Sequence, residues 1–210
     1  MKTIKIALTK GRLEEDSIEL FKKASIDCSA LEDKKRKLLF PIDGGKYEVV
    51  LAKSFDVITY VEHGVCDVGI TGKDMLMEYG SSFYEVLDLK FGCCRFAVAG
   101  PVDLKLFDGW QQKKIATKYP KAAGEYFRSK GVDVEIIKID GSVELAPILK
   151  LSDAIFDIVQ TGNTLKENGL VVLEEVCPIS ARMIVNSAAM KMKKAEIEEL
   201  INKLSAALEG

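Results

Sequence analysis

Ala154-Ile155-Phe156-Asp157-Ile158-Val159-Gln160-Thr161-Gly162-Asn163-Thr164-Leu165 is an apolar run that carries one acid and breaks into Thr-Gly-Asn-Thr. A helical pattern follows over 164–168 and is closed by Gly169. A short apolar run bounded by turn residues reads as a buried strand. The order strand, turn, helix puts a carboxylate, small hydroxyls and free backbone N–H groups at one edge of a buried sheet. A sugar phosphate needs these groups: N–H groups and hydroxyls for the phosphate, a carboxylate for the ribose hydroxyls.

The same rhythm runs outward in both directions. Strands are predicted over 3–8, 38–42, 47–52, 67–70 and 84–89, and helices over 13–24, 55–62 and 73–79. Asp43-Gly44-Gly45 between two apolar runs is a hairpin signal. Gly100-Pro101 is a break, followed by a loop over 103–112. A strand is predicted over 93–99 before the break, and strands over 114–117, 134–139, 154–160, 170–176 and 183–188 beyond it. Helices are predicted over 121–130, 143–149 with Ser142 as N-cap, and 164–168. Lys194–Leu208 carries Ile197, Leu200, Ile201, Leu204 and Leu208 on one face, an amphipathic helix. This is an α/β chain with a mainly parallel sheet, and its second half repeats the β-α-β rhythm of the first. Two lobes with a cleft between them are expected. Residues 1–92 with 181–210 would form one, and residues 93–180 the other.

Three strand-to-helix turns share their chemistry: Thr9-Lys10-Gly11-Arg12, Thr71-Gly72-Lys73-Asp74 and Thr161-Gly162-Asn163-Thr164. In open α/β sheets ligands bind beyond the carboxyl ends of the strands, where these turns lie. Each also has a plainer reading. Thr71-x-x-Asp74 and Thr164-x-x-Glu167 fit capping boxes. Lys10 and Arg12 resist that reading, because cations beside a helix N-terminus oppose its dipole unless an anion is present. Asp157, an acid inside an apolar strand, must be paired, bound or facing a cleft.

The bulk properties exclude several classes. The chain has 210 residues, 48% of them hydrophobic and 30% charged, with a formal net charge of −2. Nothing in that balance draws it to nucleic acid or an anionic membrane. The basic run Lys34-Lys35-Arg36-Lys37 reads as a solvated loop. No apolar run approaches a membrane span, and the first residues have no signal-peptide layout. The five cysteines, Cys28, Cys66, Cys93, Cys94 and Cys177, include no C-x-x-C pair. They read as reduced thiols, and a cytoplasmic location is expected. His63, the only histidine, precedes Gly64 and suits a helix C-terminus. Neither G-x-x-x-x-G-K-[ST] nor G-x-G-x-x-G occurs, so Walker-type and Rossmann sites have no direct support.

At this point the residues resemble a known family. Gly141-Ser142-Val143-Glu144-Leu145-Ala146-Pro147, Ser152-Asp153-Ala154-Ile155 and the run from Asp157 to Asn168 are similar to the signature of ATP phosphoribosyltransferases. Thr9–Leu13, Asp56–Gly64, Asp67–Asp74 and Lys114–Pro120 match further family motifs in order. The resemblance implies a two-lobed fold similar to type II periplasmic binding proteins, with a central cleft. It implies transfer of a phosphoribosyl group from phosphoribosyl pyrophosphate to N1 of ATP, the first step of histidine biosynthesis. The sugar phosphate would be held by Asp157, Gln160, Thr161, Gly162, Asn163, Thr164 and Leu165, with Glu144 ordering the sugar site or capping a helix. ATP would contact Lys10, Gly11, Arg12, Arg36, Lys53, Asp67, Gly69 and Thr71. Lys53 stands where the family usually has Arg, and Asn163 where some relatives have Arg.

The implied reaction is direct displacement at the anomeric carbon, so Asp157, Lys10, Arg12 and Lys53 would act by positioning and charge neutralisation. Mg²⁺ is the implied cofactor, held mainly by the substrate and not by a protein metal site. The resemblance is to the short form, without a carboxyl-terminal histidine-binding domain. It implies a homodimer and a hetero-octamer with a histidyl-tRNA synthetase-like regulatory subunit. The competing reading is a solute-binding or effector-sensing domain of the same fold without catalysis, which fold alone does not separate.

Overall fold

The computed structural model describes residues 2–33, 36–80, 82–108 and 111–209. In chain order the first elements are β1 (Ile4–Thr9), α1 (Arg12–Lys23), β2 (Leu39–Ile42), β3 (Tyr47–Ala52), α2 (Ser54–Glu62), β4 (Val68–Gly72), α3 (Lys73–Tyr79) and β5 (Phe83–Asp88). Next come β6 (Cys94–Gly100), β7 (Lys113–Thr117), α4 (Pro120–Ser129), β8 (Val134–Lys138), α5 (Leu145–Ile148), β9 (Ala154–Val159), α6 (Asn163–Glu167) and β10 (Val171–Ile179). The chain closes with β11 (Ala181–Asn186), α7 (Ser187–Met192) and α8 (Lys194–Glu209). Residues 1–92 with 180–210 form one compact unit, and residues 93–179 form a second.

The first unit is a six-stranded sheet in the order β2-β3-β1-β4-β11-β5. Its hydrophobic pattern has period two along β1. Ile4, Ile6 and Leu8 pack with Leu20 and Phe21 of α1 and with Ile197, Leu200 and Leu204 of α8. Ala7 faces the other way, among Val57, Ile58 and Val61 of α2. Gly69 in mid-β4 decides how closely α2 approaches. A Cβ there would lie 2.8 Å from Val61 Cγ2 and 2.9 Å from Val57 Cγ1. Gly69→Ala is expected to destabilise the fold by about 1–3 kcal/mol through overpacking. Urea unfolding checks this; an unchanged midpoint would contradict the packing role.

The second unit is a five-stranded sheet in the order β10-β6-β9-β7-β8. Its two faces differ. Phe96, Tyr119, Tyr126 and Phe156 form a ring cluster, with Phe127 of α4 stacked edge-on against Tyr126. The opposite face carries Ala97, Ala99, Ala116, Ile155 and Val159, packed with Val143, with Ala146 of α5 and with Leu165 of α6.

The expectation of a mainly parallel sheet needs correction, because both sheets are mixed. β1 pairs parallel with β3 and β4, and β7 with β8 and β9. The pairs β2–β3, β4–β11, β5–β11, β6–β9 and β6–β10 are antiparallel. Neither β6 nor β11 follows a crossover helix, the connection that parallel neighbours require.

Local corrections follow the same lines. Strand β11 stops at Asn186, short of the predicted Ala188, because the Asn186 Oδ1 accepts from the Ala188 and Ala189 amides, both at 2.9 Å. That cap starts α7, an element the hydrophobic pattern merged into its neighbours. Ser142 does not cap α5; its N-cap is Glu144. Neither Thr71 nor Thr164 forms the suggested capping box, since Gly72 and Gly162 occupy the N-cap positions of α3 and α6. His63 is the C-cap of α2 and donates its amide to Thr59 O at 3.0 Å. Lys34 and Lys35 of the basic run lie outside the described residues, as do Gly109 and Trp110 of the predicted loop.

Cys28 and Cys66 are free, buried thiols. Burial pushes the Cys28 and Cys66 thiols up to about 11, whereas Cys93 is exposed. At pH 8 about a thousandth of each buried thiol would be thiolate, the reactive form. A disulfide reagent is therefore expected to modify Cys93 first and to reach Cys28 and Cys66 only on unfolding. Equal rates, read by peptide mapping, would contradict this packing. Among the described residues no helix is long and apolar enough to cross a membrane.

Candidate active site

The opening stretch of sequence builds a pocket at the end of β9. Asp157 shares its strand parity with Ile155 and Val159 and stands opposite Ala97 of β6. It therefore belongs to the alanine-lined face. Small side chains on that face leave a pocket of about 260 Å³, lined by Glu144, Asp157, Gln160, Thr161, Gly162, Thr164 and Leu165 among others. Gly162 has φ 82° and ψ 3°, a left-handed conformation that glycine holds without strain. That turn reverses the chain into α6, where the Lys166 amide donates to Gly162 O at 3.0 Å. Thr161, Asn163 and Thr164 are exposed, while Leu165 anchors the helix in the core. The Asn163 amide donates to Thr161 Oγ1 at 3.4 Å.

The topology explains why a pocket opens here. The chain leaving β7 enters α4 on the aromatic face, and the chain leaving its parallel neighbour β9 enters α6 on the alanine face. Adjacent strands whose connections go to opposite faces make a switch point, the usual ligand position in such sheets. Glu144, the N-cap of α5, is half-buried at the same pocket. The ionisable groups among the pocket's lining residues are Glu144 and Asp157, both acids. Arg95 of β6, which the sequence reading passed over, lies beside the turn: its Nη1 donates to Gln160 O at 3.2 Å. A cation beside Phe96-Ala97-Val98-Ala99 was the available signal.

In the first unit, β1, β3 and β4 end side by side. The Lys10 amide donates to Ala52 O at 2.9 Å, and Thr9 Oγ1 donates to Ile70 O at 3.0 Å. Lys10 is therefore next to Lys53, the N-cap of α2. Both side chains are exposed, and neither has an ion-pair partner among the described residues. Gly11 caps α1: its carbonyl accepts from the Glu14 amide at 2.9 Å, and its amide donates to Glu14 Oε2 at 3.4 Å. Arg12 is exposed, with Asp16 at 3.9 Å. Arg36 is exposed in the segment before β2.

Three residues to which the resemblance gave ATP contacts lie away from this edge or are turned inward. Asp67 precedes β4, at the opposite end of the parallel strands. Its Oδ2 accepts from the Lys5 amide at 2.8 Å and from Lys193 Nζ at 2.7 Å. Gly69 lies mid-strand beneath α2. Thr71 is at the edge but fully buried, its hydroxyl directed to Ser54 O at 3.5 Å. A sequence motif marks these positions without telling packing from binding. Beside the edge, burial opposes ionisation of Asp88, but the Ser180 hydroxyl, Lys90 and Arg182 outweigh it and hold the carboxyl below its ordinary value.

Comparison with known proteins supplies the chemistry. Residues 53–206 match the family described as HisG, ATP phosphoribosyltransferase. The ATP phosphoribosyltransferase of Clostridium kluyveri is 60% identical over 201 residues, 96% of this chain and 92% of the relative. The ATP phosphoribosyl transferase (HisG:HisZ) complex from Thermotoga maritima contains a chain of similar structure. It has TM-score 0.83 and 36% identity, covering 98% of each chain. The periplasmic aliphatic sulphonate binding protein SsuA from Escherichia coli is similar in fold alone. It has TM-score 0.60 and 13% identity, covering 99% of this chain and 73% of that one. The fold is thus α/β, of the two-lobed type II periplasmic-binding-protein class. With a family match over most of its length and relatives 60% identical, the chain belongs to the ATP phosphoribosyltransferase family.

Proposed function

We propose that the pocket at the end of β9 holds phosphoribosyl pyrophosphate and that the strand ends around Lys10 and Lys53 hold ATP. The chain catalyses the first step of histidine biosynthesis, moving the phosphoribosyl group of phosphoribosyl pyrophosphate to N1 of ATP and releasing pyrophosphate. The residue assignment rests on one observation above the others. Glu144, Asp157, Gln160, Thr161, Gly162, Thr164 and Leu165 line a single pocket, and Asn163 lies exposed beside it.

In this reading the Thr161 and Thr164 hydroxyls and the amides of Thr161–Leu165 hold the 5-phosphate. Asp157 accepts hydrogen bonds from the ribose hydroxyls, and Glu144 orders the same sugar. Lys10, Gly11, Arg12 and Lys53 take the triphosphate, with Arg36 in support. N1 of ATP forms a bond to the anomeric carbon while the carbon–oxygen bond to pyrophosphate breaks, and the bonding pair leaves with pyrophosphate. The side chains named here form no covalent bond to substrate. Each group positions its own substrate and neutralises charge.

Mg²⁺ fits the donor set. It binds through one or two carboxylates plus substrate phosphates and keeps several waters. Glu144 and Asp157 offer two carboxylates, and no group of three or more His, Cys, Asp and Glu side chains that could hold a metal ion occurs among the described residues. When bound, the ion would neutralise charge on the departing pyrophosphate. The partner is proposed to be a histidyl-tRNA synthetase-like regulatory subunit, by analogy with the Thermotoga maritima HisG:HisZ complex.

The test is the purified chain with ATP, phosphoribosyl pyrophosphate and Mg²⁺, with and without the regulatory subunit. Phosphoribosyl-ATP is the expected product. Its absence in both arms would refute the assignment. The alternative of a non-catalytic solute-binding domain is not favoured by the family match.

A further inference from the structure

The proposed sugar-phosphate pocket poses an electrostatic problem. Its lining carries two carboxylates and neither Lys nor Arg, yet its ligand is a polyanion. A turn of neutral amides and hydroxyls must be held in shape to bind phosphate, because each donor counts only when it is aimed before the ligand arrives. Helix α6 has only five residues, too few to hold the turn by itself. Something outside the turn has to fix it.

We infer that Arg95 is the positioning residue for the phosphate-binding turn. It shares the strand parity of Ala97 and Ala99 and stands opposite Val159, so it lies on the pocket face of the sheet. Its Nη1 donates to the carbonyl of Gln160, the first residue of the turn, at 3.2 Å. Its Nε lies 2.7 Å from Glu175 Oε1 in β10. A break in the β6–β10 register between Glu175 and Cys177 lies beside this pair, and such bulges re-aim side chains. Glu175 of β10 thus holds the guanidinium as an ion pair, although the buried Nε makes no hydrogen bond, and Nη1 holds the turn. The Arg95 side chain keeps 30% of its exposure and that of Glu175 66%, so solvent screens the pair. Arg95 brings a fixed positive charge to a turn that has Asn163 at its centre. A planar guanidinium with several donors can bridge a carbonyl and a carboxylate at once, which a lysine ammonium does less rigidly.

This inference rests on the assignment of the pocket to phosphoribosyl pyrophosphate. Arg95→Met is expected to raise the KM for phosphoribosyl pyrophosphate about tenfold or more, the scale of one charge-assisted hydrogen bond. The KM for ATP should stay within about twofold and kcat within about threefold. Arg95→Lys should recover part of the loss, and added methylguanidine should restore Arg95→Met in part. A merely structural role would instead lower the melting temperature and affect both substrates alike. An unchanged KM for phosphoribosyl pyrophosphate in folded Arg95→Met, or an equal loss for both substrates, would overturn the inference.

If Arg95→Met does not fold, Glu175→Gln releases the guanidinium without touching the turn. It should raise the same KM in the same direction, and no change there would overturn the inference. Thr161→Val run in parallel separates the two levels. Weakened phosphoribosyl pyrophosphate binding in Thr161→Val with a silent Arg95→Met removes only the role of Arg95. No change in either variant removes the pocket assignment itself.

Discussion

Asp157→Asn is expected to lower kcat/KM for phosphoribosyl pyrophosphate by about 100- to 1000-fold while the protein stays folded. The substitution keeps the size of the side chain and one acceptor oxygen. It loses the charge and replaces the second oxygen with a donor. Hydrogen bonds to a charged group contribute about 1.5–3 kcal/mol each. Losing the charged acceptor for a pair of ribose hydroxyls therefore amounts to about 3–4 kcal/mol, and each ~1.4 kcal/mol is a factor of ten. Fold disturbance should be small, because Asp157 is only half-buried and lies at the pocket, where Ile155 and Val159 carry the packing. Steady-state kinetics with both substrates varied, with a thermal melt as control, checks the expectation. Near-normal kcat/KM would remove Asp157 from the site.

The second large effect is expected at the other substrate. Lys10 and Lys53 are exposed neighbours at adjacent strand ends without ion-pair partners among the described residues. Two such cations repel each other and oppose the dipoles of the helices they precede. An anionic ligand reverses both costs. The double substitution Lys10→Ala with Lys53→Ala is expected to raise the KM for ATP about 100-fold, roughly tenfold per phosphate contact. It should leave the KM for phosphoribosyl pyrophosphate near its normal value and should not lower the melting temperature. A change confined to phosphoribosyl pyrophosphate would mean that the two substrates are assigned to the wrong sheet edges. Lys53→Arg is informative alongside it, because the forked donor suits phosphate better than an ammonium.

Much of this arrangement could be read from the chain itself, and the failures have physical causes. The strand from Ala154 and the turn after it were legible because an apolar run, a lone acid and a Thr-Gly turn leave few alternatives. The hairpin about Asp43-Gly44-Gly45 was legible for the same reason, since turn chemistry is local. Strand direction was not legible. β6 and β11 have the same apolar composition whether they run parallel or antiparallel, and only the absence of a crossover helix decides it. Helix α7 was missed because its start depends on an Asn186 cap that also reaches across to Val61 O at 2.7 Å.

The candidate site residues divided along similar lines. Lys10, Gly11, Lys53 and the Gln160–Thr164 turn lie just past strand ends, and Asp157 lies half-buried within β9. Asp67 and Gly69 lie within motifs of the same appearance. One is fixed by Lys193 and the Lys5 amide, the other by contact with α2. Both are long-range relations that sequence spacing does not carry. Arg95 was hidden for the converse reason. It sits 65 residues from Gln160 in sequence, and only the pairing of β6 with β9 brings them together.

Phosphoribosyl pyrophosphate is proposed to bind at the turn after β9 and not at the edge that carries Lys10 and Lys53. Backbone amide chemical shifts of the isotope-labelled chain, titrated with phosphoribosyl pyrophosphate and Mg²⁺ in the absence of ATP, test it most directly. The largest shifts are expected at Gln160–Leu165, saturating together. Saturating shifts at Lys10–Arg12 and Lys53, with Gln160–Leu165 unmoved, would contradict it.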